Sequence, residues 1–294
     1  MHPIMEYCLV AGALFLAACA RYLIMTSLYY GVVYKACQER WLKYKIEKTQ
    51  PTAKDIRHEI KWGLTNKINF FFYGLLIYWL YDHGHLALYT DWGAYPWWYA
   101  WVSIPVLLFL HDAYFFWSHY LMHTKTIRRW TRHDVHHGVR NVSPYSAFSV
   151  HPAEGFLEMA FRPVILVFIP LHPITLGIFL IITFALNVIG HSGYEFFPRN
   201  YSKSPLTRLN SSATFHYLHH KNGNTNFGLF LCIWDRMMGT MHPEYDAYFD
   251  KNARHNPLSV PMKWSQAWRP SAWRNRDRPV ESTESGESTV TGRP

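Results

Sequence analysis

The segment HDAYFFWSHYLMH, residues 111–123, closes a long apolar stretch with two histidines that are four residues apart. On a helix, His119 and His123 lie on one face about 6 Å apart, a spacing at which two imidazoles can bind one metal ion. The segments RHDVHH (132–137) and FHYLHH (215–220) follow, and each carries three more histidines. The candidate ligands from these three groups are His119, His123, His133, His136, His137, His216, His219 and His220.

The three groups together predict a metal centre. One pair of histidines four residues apart is common by chance, but three such groups beside apolar segments are not. The adjacent His136 and His137 point about 100° apart on a helix, so that they can serve different ions. Eight imidazoles also exceed the number that one ion needs. We therefore expect two ions that lie close together.

The composition indicates that these histidines belong to a membrane protein. The 294 residues are 49% hydrophobic and only 17% charged, whereas soluble domains carry roughly 25% charged residues. The formal net charge is +9, but the basic residues flank apolar segments and form no stripe with interleaved aromatic residues. This pattern argues against a nucleic-acid partner. The four cysteines show no paired spacing, so a disulfide framework is not expected.

Four apolar segments predict an all-α, multi-pass membrane helical bundle of about four membrane helices. They cover residues 5–34, 68–90, 96–122 and 162–190. In the last segment, Pro170 and Pro173 interrupt the apolar run, which favours a re-entrant hairpin over one straight span. In the first segment, Ala18-Cys19-Ala20 leaves a cleaved signal peptide as the alternative, although no Lys or Arg precedes it.

The distribution of charge predicts the orientation of the bundle. Residues 35–67 carry nine basic and four acidic residues, which is typical of a cytoplasmic loop. The histidine groups share that side, so we expect a cytoplasmic, histidine-rich cap. The predicted organisation is an N-terminal membrane helix (1–34), a basic cytoplasmic loop (35–67), a membrane bundle with a di-metal catalytic domain (68–275) and a disordered tail (276–294).

The setting of the histidines favours iron as the metal. Imidazole suits zinc, copper, iron and nickel about equally. An open metal cluster at the edge of a bilayer is suited to activating O2 against an unreactive lipid carbon. A zinc-dependent membrane lipid hydrolase is an alternative, but it would need a water-activating carboxylate and an oxyanion site that the sequence does not reveal. A metal transporter would place its ligands near the middle of its spans.

Residues 105–242 resemble the fatty acid hydroxylase and sterol desaturase superfamily of membrane di-iron enzymes. Besides the histidine groups, the resemblance rests on His151-Pro152 with Glu154, on Gly190-His191-Ser192-Gly193-Tyr194-Glu195, on Asn226-Phe227-Gly228 and on Trp234-Asp235-Arg236. It implies a four-helix membrane bundle under a cytoplasmic histidine-rich lobe, and hydroxylation or desaturation of a lipid.

The resemblance also implies further site residues. His191 takes the position of a ninth metal ligand. Glu195 stands where some family hydroxylases have another histidine, and His151 could supply the missing imidazole, so both are candidate ligands. Tyr120 and Phe227 depart from the family pattern, which has Arg and Tyr there, and neither is a ligand position. Asp112 is a candidate to orient a ligand imidazole, and Asp235 a candidate structural brace.

The resemblance implies a reaction with two iron ions as cofactors and O2 as cosubstrate, on a sterol-like lipid or, as the alternative, a fatty acyl or sphingoid lipid. Zinc could replace iron in purified samples. No nucleotide-binding fingerprint occurs in the sequence, so electrons are expected from a separate b-type cytochrome or ferredoxin with its reductase. The expected location is the endoplasmic reticulum in a eukaryote and the inner membrane in a bacterium.

Overall fold

Helices make up the regular structure of residues 3–47, 49–139 and 141–253, which the computed structural model describes. No β-strand occurs within these ranges. The helices are α1 (Pro3–Tyr30), α2 (Gln38–Trp41), α3 (Ala53–Asn66), α4 (Ile68–Asp82), α5 (Trp97–Met122), α6 (Lys125–Thr131), α7 (Asp134–His137), α8 (Pro152–Met159), α9 (Phe161–Phe168), α10 (Pro173–Gly190), α11 (Ala213–Asn222), α12 (Ile233–Met238) and α13 (Tyr245–Ala253). A π-helical segment, Gly31–Ala36, extends α1. The all-α prediction is confirmed.

Three of these helices are long and apolar enough to cross a membrane: Ile4–Ala36, Trp97–Met122 and Pro173–Gly190. Large apolar side chains on their outer faces are exposed, as Trp97 illustrates with 79% of its surface accessible. A belt of exposed apolar side chains is the surface that lipid covers. The chain is therefore a membrane protein with several spans, as its composition predicts.

The helices run alternately up and down. At one end of the bundle, the Tyr7 hydroxyl donates to Asp82, so the start of α1 lies beside the end of α4. At the other end, Tyr34 Oη donates to the carbonyl of Ser192, directly after α10, over 2.6 Å. Helix α5 packs against α10, and both helices end where the histidine groups begin. We call this the histidine end of the bundle.

The interrupted apolar segment forms two helices, as predicted. Helices α9 and α10 are separated at residues 169–172, where His172 Nδ1 caps α10 by accepting from the Ile174 amide and Pro173 opens the helix. Tyr99 Oη donates to the Pro170 carbonyl over 3.0 Å, which places the break beside the start of α5, away from the histidine end. The chain thus enters along α9 and returns along α10.

Two elements differ from the sequence prediction. Helix α4 ends at Asp82 rather than near residue 90, and the chain that follows pairs Ala87 with the backbone of α9 and the break. The segment predicted as a basic loop contains α3, which a capping box begins: the Asp55 amide donates to Thr52 Oγ1 over 3.2 Å and the Thr52 amide to Asp55 Oδ2 over 2.8 Å. The predicted tail, 276–294, lies outside the described residues.

Candidate metal centre

The structure brings nine of the predicted ligands together in two clusters. Within each cluster, one ring nitrogen from every member lies within 4.8 Å of the others. Site A comprises His119, His123, His133, His137 and His219. Site B comprises His136, His191, His216 and His220.

Short helices distribute the imidazoles between the two sites. His119 and His123 occupy the last turn and the C-cap of α5. Helix α7 is a single turn, and its adjacent His136 and His137 point to different sites, as their helical angle predicts. Helix α11 does the same, since it sends His219 to site A and its other two histidines to site B. The two sites are therefore neighbours that share two helices.

The imidazole nitrogens converge in pairs. The Nε2 atoms of His123 and His133 are 3.0 Å apart, and those of His191 and His216 are 2.8 Å apart. The Nε2 atoms of His137 and His219, and those of His216 and His220, are also separated by 3.0 Å. Lone pairs that point at each other repel unless a proton or a cation lies between them. The donor set therefore fits metal ions.

Main-chain carbonyls orient three of these rings. His119 Nδ1 lies 2.8 Å from the Phe227 carbonyl, His219 Nδ1 lies 2.7 Å from that of Thr225, and His191 Nδ1 lies 2.9 Å from that of Asn187. A carbonyl only accepts, so each Nδ1 carries the proton and each Nε2 presents its lone pair to the site. Burial also lowers the pKa of His137 and of His191 to about 4, which keeps both rings in the neutral form that binds metal.

Glu154 is a site residue whose role sequence reasoning missed. Its Oε1 lies 2.8 Å from Nδ1 of His133, and both side chains are buried. The two groups are at ion-pair distance but are not aligned as a hydrogen bond. Burial raises the pKa of Glu154. The sequence showed Glu154 as a carboxylate in the first turn of an apolar helix and as part of the motif with His151-Pro152, but it did not show that His133 lies beside it.

The structure places the two remaining candidate ligands outside both sites. His151 is the N-cap of α8, where its Nδ1 accepts from the Ala153 amide over 3.2 Å. Glu195 is buried and accepts from the amides of Phe197 and Thr214 over 3.1 and 3.0 Å. Its position at the start of α11 orients that helix. Neither side chain belongs to the nitrogen clusters.

Two aspartates hold the loop that supports site A. Asp112 Oδ1 accepts from the amides of Phe230 and Leu231 over 2.6 and 3.1 Å, so it orients backbone rather than an imidazole. Asp235 accepts from the amides of Phe227 and Gly228, both over 2.8 Å. His119 Nδ1 donates to the Phe227 carbonyl. The brace predicted at Asp235 therefore positions the candidate ligand His119 indirectly, by holding Phe227.

A narrow cavity of about 80 Å³ adjoins site B. His136, His191 and His216 line one part of it. The remaining wall is mainly apolar and aromatic, but it also carries four charged side chains that the sequence did not single out. These are Arg21, Lys67, Glu158 and Arg162.

Residues 104–240 match the family model for fatty acid hydroxylase. The chain is 28% identical over 175 residues to the Delta(7)-sterol 5(6)-desaturase of Schizosaccharomyces pombe, a match that covers 59% of this chain and 55% of that protein. It is 28% identical over 166 residues to the lathosterol oxidase of Mus musculus, which covers 54% and 52%. The chain spans about half the length of the curated relatives that it matches. No solved structure is significantly similar to it. These matches fall on the segment that carries both histidine sites, and they support membership of the fatty acid hydroxylase and sterol desaturase superfamily.

Proposed function

We propose that this chain is an O2-dependent membrane lipid oxidoreductase that desaturates or hydroxylates a sterol-like lipid at two iron ions held by sites A and B. The observation that carries the proposal is the pair of neighbouring imidazole clusters at one end of a membrane bundle, with a largely apolar cavity against site B. The names of the sterol desaturase and lathosterol oxidase relatives support the choice of lipid.

The donor set suits the proposed metal. Nine imidazoles converge on two points, and no carboxylate belongs to either cluster of the described residues. Iron bound there would supply O2 activation and the oxidising power to remove hydrogen from an unactivated carbon. The reaction balances when one O2, two electrons and two protons convert a C–H bond to C–OH and one water. Desaturation consumes the same reagents and yields a C=C bond and two waters.

The protein's own contribution is positioning and exclusion of water. The carbonyls of Phe227, Thr225 and Asn187 hold three rings in one tautomer, so that their Nε2 atoms remain directed into the sites. Around the cavity, side chains such as Phe115 and Phe230 present an apolar wall beside site B. A lipid carbon held against that wall is close to the metal position and away from bulk water.

The electrons are proposed to come from a separate protein. Helix α6 and its C-cap expose Lys125, Arg129 and Arg132 close to His133 of site A. A basic surface beside the metal sites complements an acidic donor such as a b-type cytochrome or a ferredoxin. The same positive charge supports a cytoplasmic location for this face.

Comparative lipid mass spectrometry tests the proposal. Cells would express the wild-type chain or the double variant His136→Ala, His219→Ala, which removes one ligand from each site. We expect a lipid found only with the wild type, either one oxygen atom heavier or two hydrogen atoms lighter than its precursor. His242→Ala is the control, because that ring lies outside both clusters. Identical profiles from wild type and double variant, with metal bound to the wild type, would contradict oxidative chemistry and favour hydrolysis or transport.

A further inference from the structure

Three cationic side chains from three helices meet at one part of the cavity. Arg21 comes from α1, Lys67 follows α3, and Arg162 comes from α9. Phe70 marks their meeting point, since its ring centroid lies 5.7 Å from the guanidinium carbon of each arginine and 5.8 Å from Lys67 Nζ. Lys67 is only 2% exposed. Ionisable side chains in such a setting are rare and mark binding sites or pathways.

These cations have no anionic partner at contact distance. Glu158 lines the same cavity, but no ion pair within 4.0 Å joins it to any of the three among the described residues. Nε of Arg21 and Nη1 of Arg162 are buried without a hydrogen-bond partner. The aromatic rings offset part of the lost hydration, as where Lys67 Nζ lies 4.3 Å from the Phe148 centroid. Ring faces cannot accept the directed N–H donors of a guanidinium as an oxyanion does.

The local charge balance favours entry of an anion. Two guanidinium groups and the Lys67 amine face one carboxylate, and burial with the nearby Arg21 and Arg162 lowers the pKa of Lys67 to about 7, so Lys67 holds its proton firmly only when an anion lies beside it. Uncompensated buried charge destabilises a fold unless a counter-ion binds. An oxyanion among the three side chains would satisfy the free N–H groups and restore the charge balance.

The cation cluster and site B open onto one cavity. His136, His191 and His216 line its other part, and apolar side chains such as Met159 and Leu180 lie on its wall. A molecule whose head binds the cations would therefore place its apolar part against the metal-binding rings. The cavity is smaller than the roughly 300–1,000 Å³ of typical ligand pockets, so a lipid must move side chains as it enters.

We propose that Arg21, Lys67 and Arg162 bind the oxyanion head of the lipid substrate, a carboxylate, sulfate or phosphate, and so set which carbon reaches site B. That the bound lipid is the substrate rests on the function proposed above. The head-group preference itself is a property of binding, which can be measured without turnover.

Saturation binding to the iron-loaded 294-residue chain in phosphatidylcholine nanodiscs tests this proposal. The probes are two tritiated pairs that differ only in the head: cholesteryl sulfate with cholesterol, and palmitate with hexadecanol. We expect the anionic member of at least one pair to bind about tenfold more tightly or better, the effect of charge-assisted hydrogen bonds. Which pair shows the preference identifies the apolar part of the lipid.

Matched variants assign the preference to the cluster. Lys67→Met and Arg162→Met are expected to abolish it, whereas Lys67→Arg keeps it. Lys45→Met is the control, because Lys45 is also buried against aromatic rings but does not line this cavity. Iron content is measured for every variant, and one that fails to load is replaced by Lys67→Gln or Arg162→Gln, which also removes the charge but keeps a polar group.

Equal binding of charged and neutral members in both pairs would overturn the proposal, as would a preference that survives in Lys67→Met and Arg162→Met. Sodium sulfate alone is expected not to displace the lipid probes, and displacement by it would mean that the cluster binds a free anion instead. A head-group preference without lipid oxidation in cells would contradict the proposed function alone. Oxidation of a neutral lipid without any preference would contradict this inference alone.

Discussion

At the scale of single residues, site A depends on a backbone loop as much as on its histidines. The Phe227 and Thr225 carbonyls fix His119 and His219, and Asp235 fixes the loop that carries those carbonyls. Supporting groups of this kind commonly change metal affinity by roughly 10–100-fold when they are removed. The loop therefore belongs to the metal centre in energetic terms, although it contributes no ligand atom.

Asp235→Ala is expected to lower both stability and metal content. The substitution leaves the buried Phe227 and Gly228 amides without their acceptor, which costs about 1–3 kcal/mol for each group. Chemical denaturation and metal analysis per chain measure the two effects. Asp246→Ala, on the exposed side of α13, is the matched control. Equal behaviour of the two variants would show that Asp235 does not support the loop.

Glu59 predicts a pH dependence of stability. Burial raises its pKa from 4.5 to about 8, and the Ser143 hydroxyl donates to its carboxyl group. The folded state binds the proton of the Glu59 carboxyl group more tightly than the unfolded state does. The protonated carboxyl group therefore makes its full contribution to stability below the unfolded pKa, and this contribution is lost as the pH rises through about 8. Glu59→Gln removes this titration.

The measurement for Glu59 is the difference in unfolding midpoint between wild type and Glu59→Gln in detergent. We expect the free energy of unfolding of the wild type to fall relative to that of the variant between about pH 5 and about pH 9, by an amount on the order of a few kcal/mol. A difference that stays constant with pH would mean that the pKa of Glu59 is not raised in the folded state.

The histidines that meet in the two clusters were predictable from sequence, whereas the residues that contact them were not. Local spacing of three and four residues is enough to identify His119 with His123, and the groups on α7 and α11. Glu154 meets His133 across 21 positions of the chain, and Lys67 meets Arg162 across 95, so no local pattern links them. The expectation that Asp112 orients an imidazole was wrong, because Asp112 accepts from two backbone amides that are distant in sequence.

At the scale of elements, α8 packs unusually close to the junction of α3 and α4. A Cβ at Gly155 would lie 1.8 Å from Oδ1 of Asn66. Asn69 Nδ2 donates to that same oxygen and to the Pro152 carbonyl, both over 2.9 Å, so the contact is fixed from both sides. This close approach sets the position of Glu154 on α8, and through it that of His133.

Gly155→Ala is therefore expected to destabilise the protein by about 1–3 kcal/mol, the usual effect of overpacking. Gly177→Ala on α10 is the control, since a Cβ there meets nothing within 4 Å. The control should gain about 0.5–1 kcal/mol from the lower entropy of the unfolded chain. The unfolding midpoints of both variants are measured in the same detergent. Similar midpoints would show that α8 can shift without loss of stability.

The elements were partly predictable. Proline at 170 and 173 revealed the break between α9 and α10, because proline interrupts an apolar helix in any context. The segment that contains α3 was predicted as a loop because it is rich in basic residues, although Thr52 and Asp55 form a capping box at the start of the helix. The early end of α4 was not visible either, since Leu86 and Leu88 continue the apolar pattern while pairing with another part of the chain.

At the scale of the whole molecule, metal ions would cross-link the helices at the histidine end of the bundle. Site A draws on α5, α7 and α11, and site B adds the end of α10. Ions held by several helices stabilise the folded state over the unfolded one by mass action. Without them, the paired Nε2 atoms remain unsatisfied in a buried site.

Removal of metal with a chelator should lower the unfolding midpoint by about 10 °C. The variant His216→Ala, His220→Ala, which lacks half of site B, should lose a smaller amount on chelation. Differential scanning fluorimetry with metal analysis before and after treatment measures both. An unchanged midpoint, once the metal is shown to have left, would mean that packing alone stabilises the histidine end of the bundle.

Helix α10 is short for a membrane-spanning helix, which has a consequence for the surrounding bilayer. Its 18 residues correspond to about 27 Å at 1.5 Å per residue, whereas the 26 residues of α5 reach about 39 Å. A typical hydrocarbon core is about 30 Å thick, so the lipid beside α10 must thin locally, whereas α5 can tilt. Thick, sterol-rich bilayers would therefore increase the hydrophobic mismatch on the side of the bundle where α10 meets lipid.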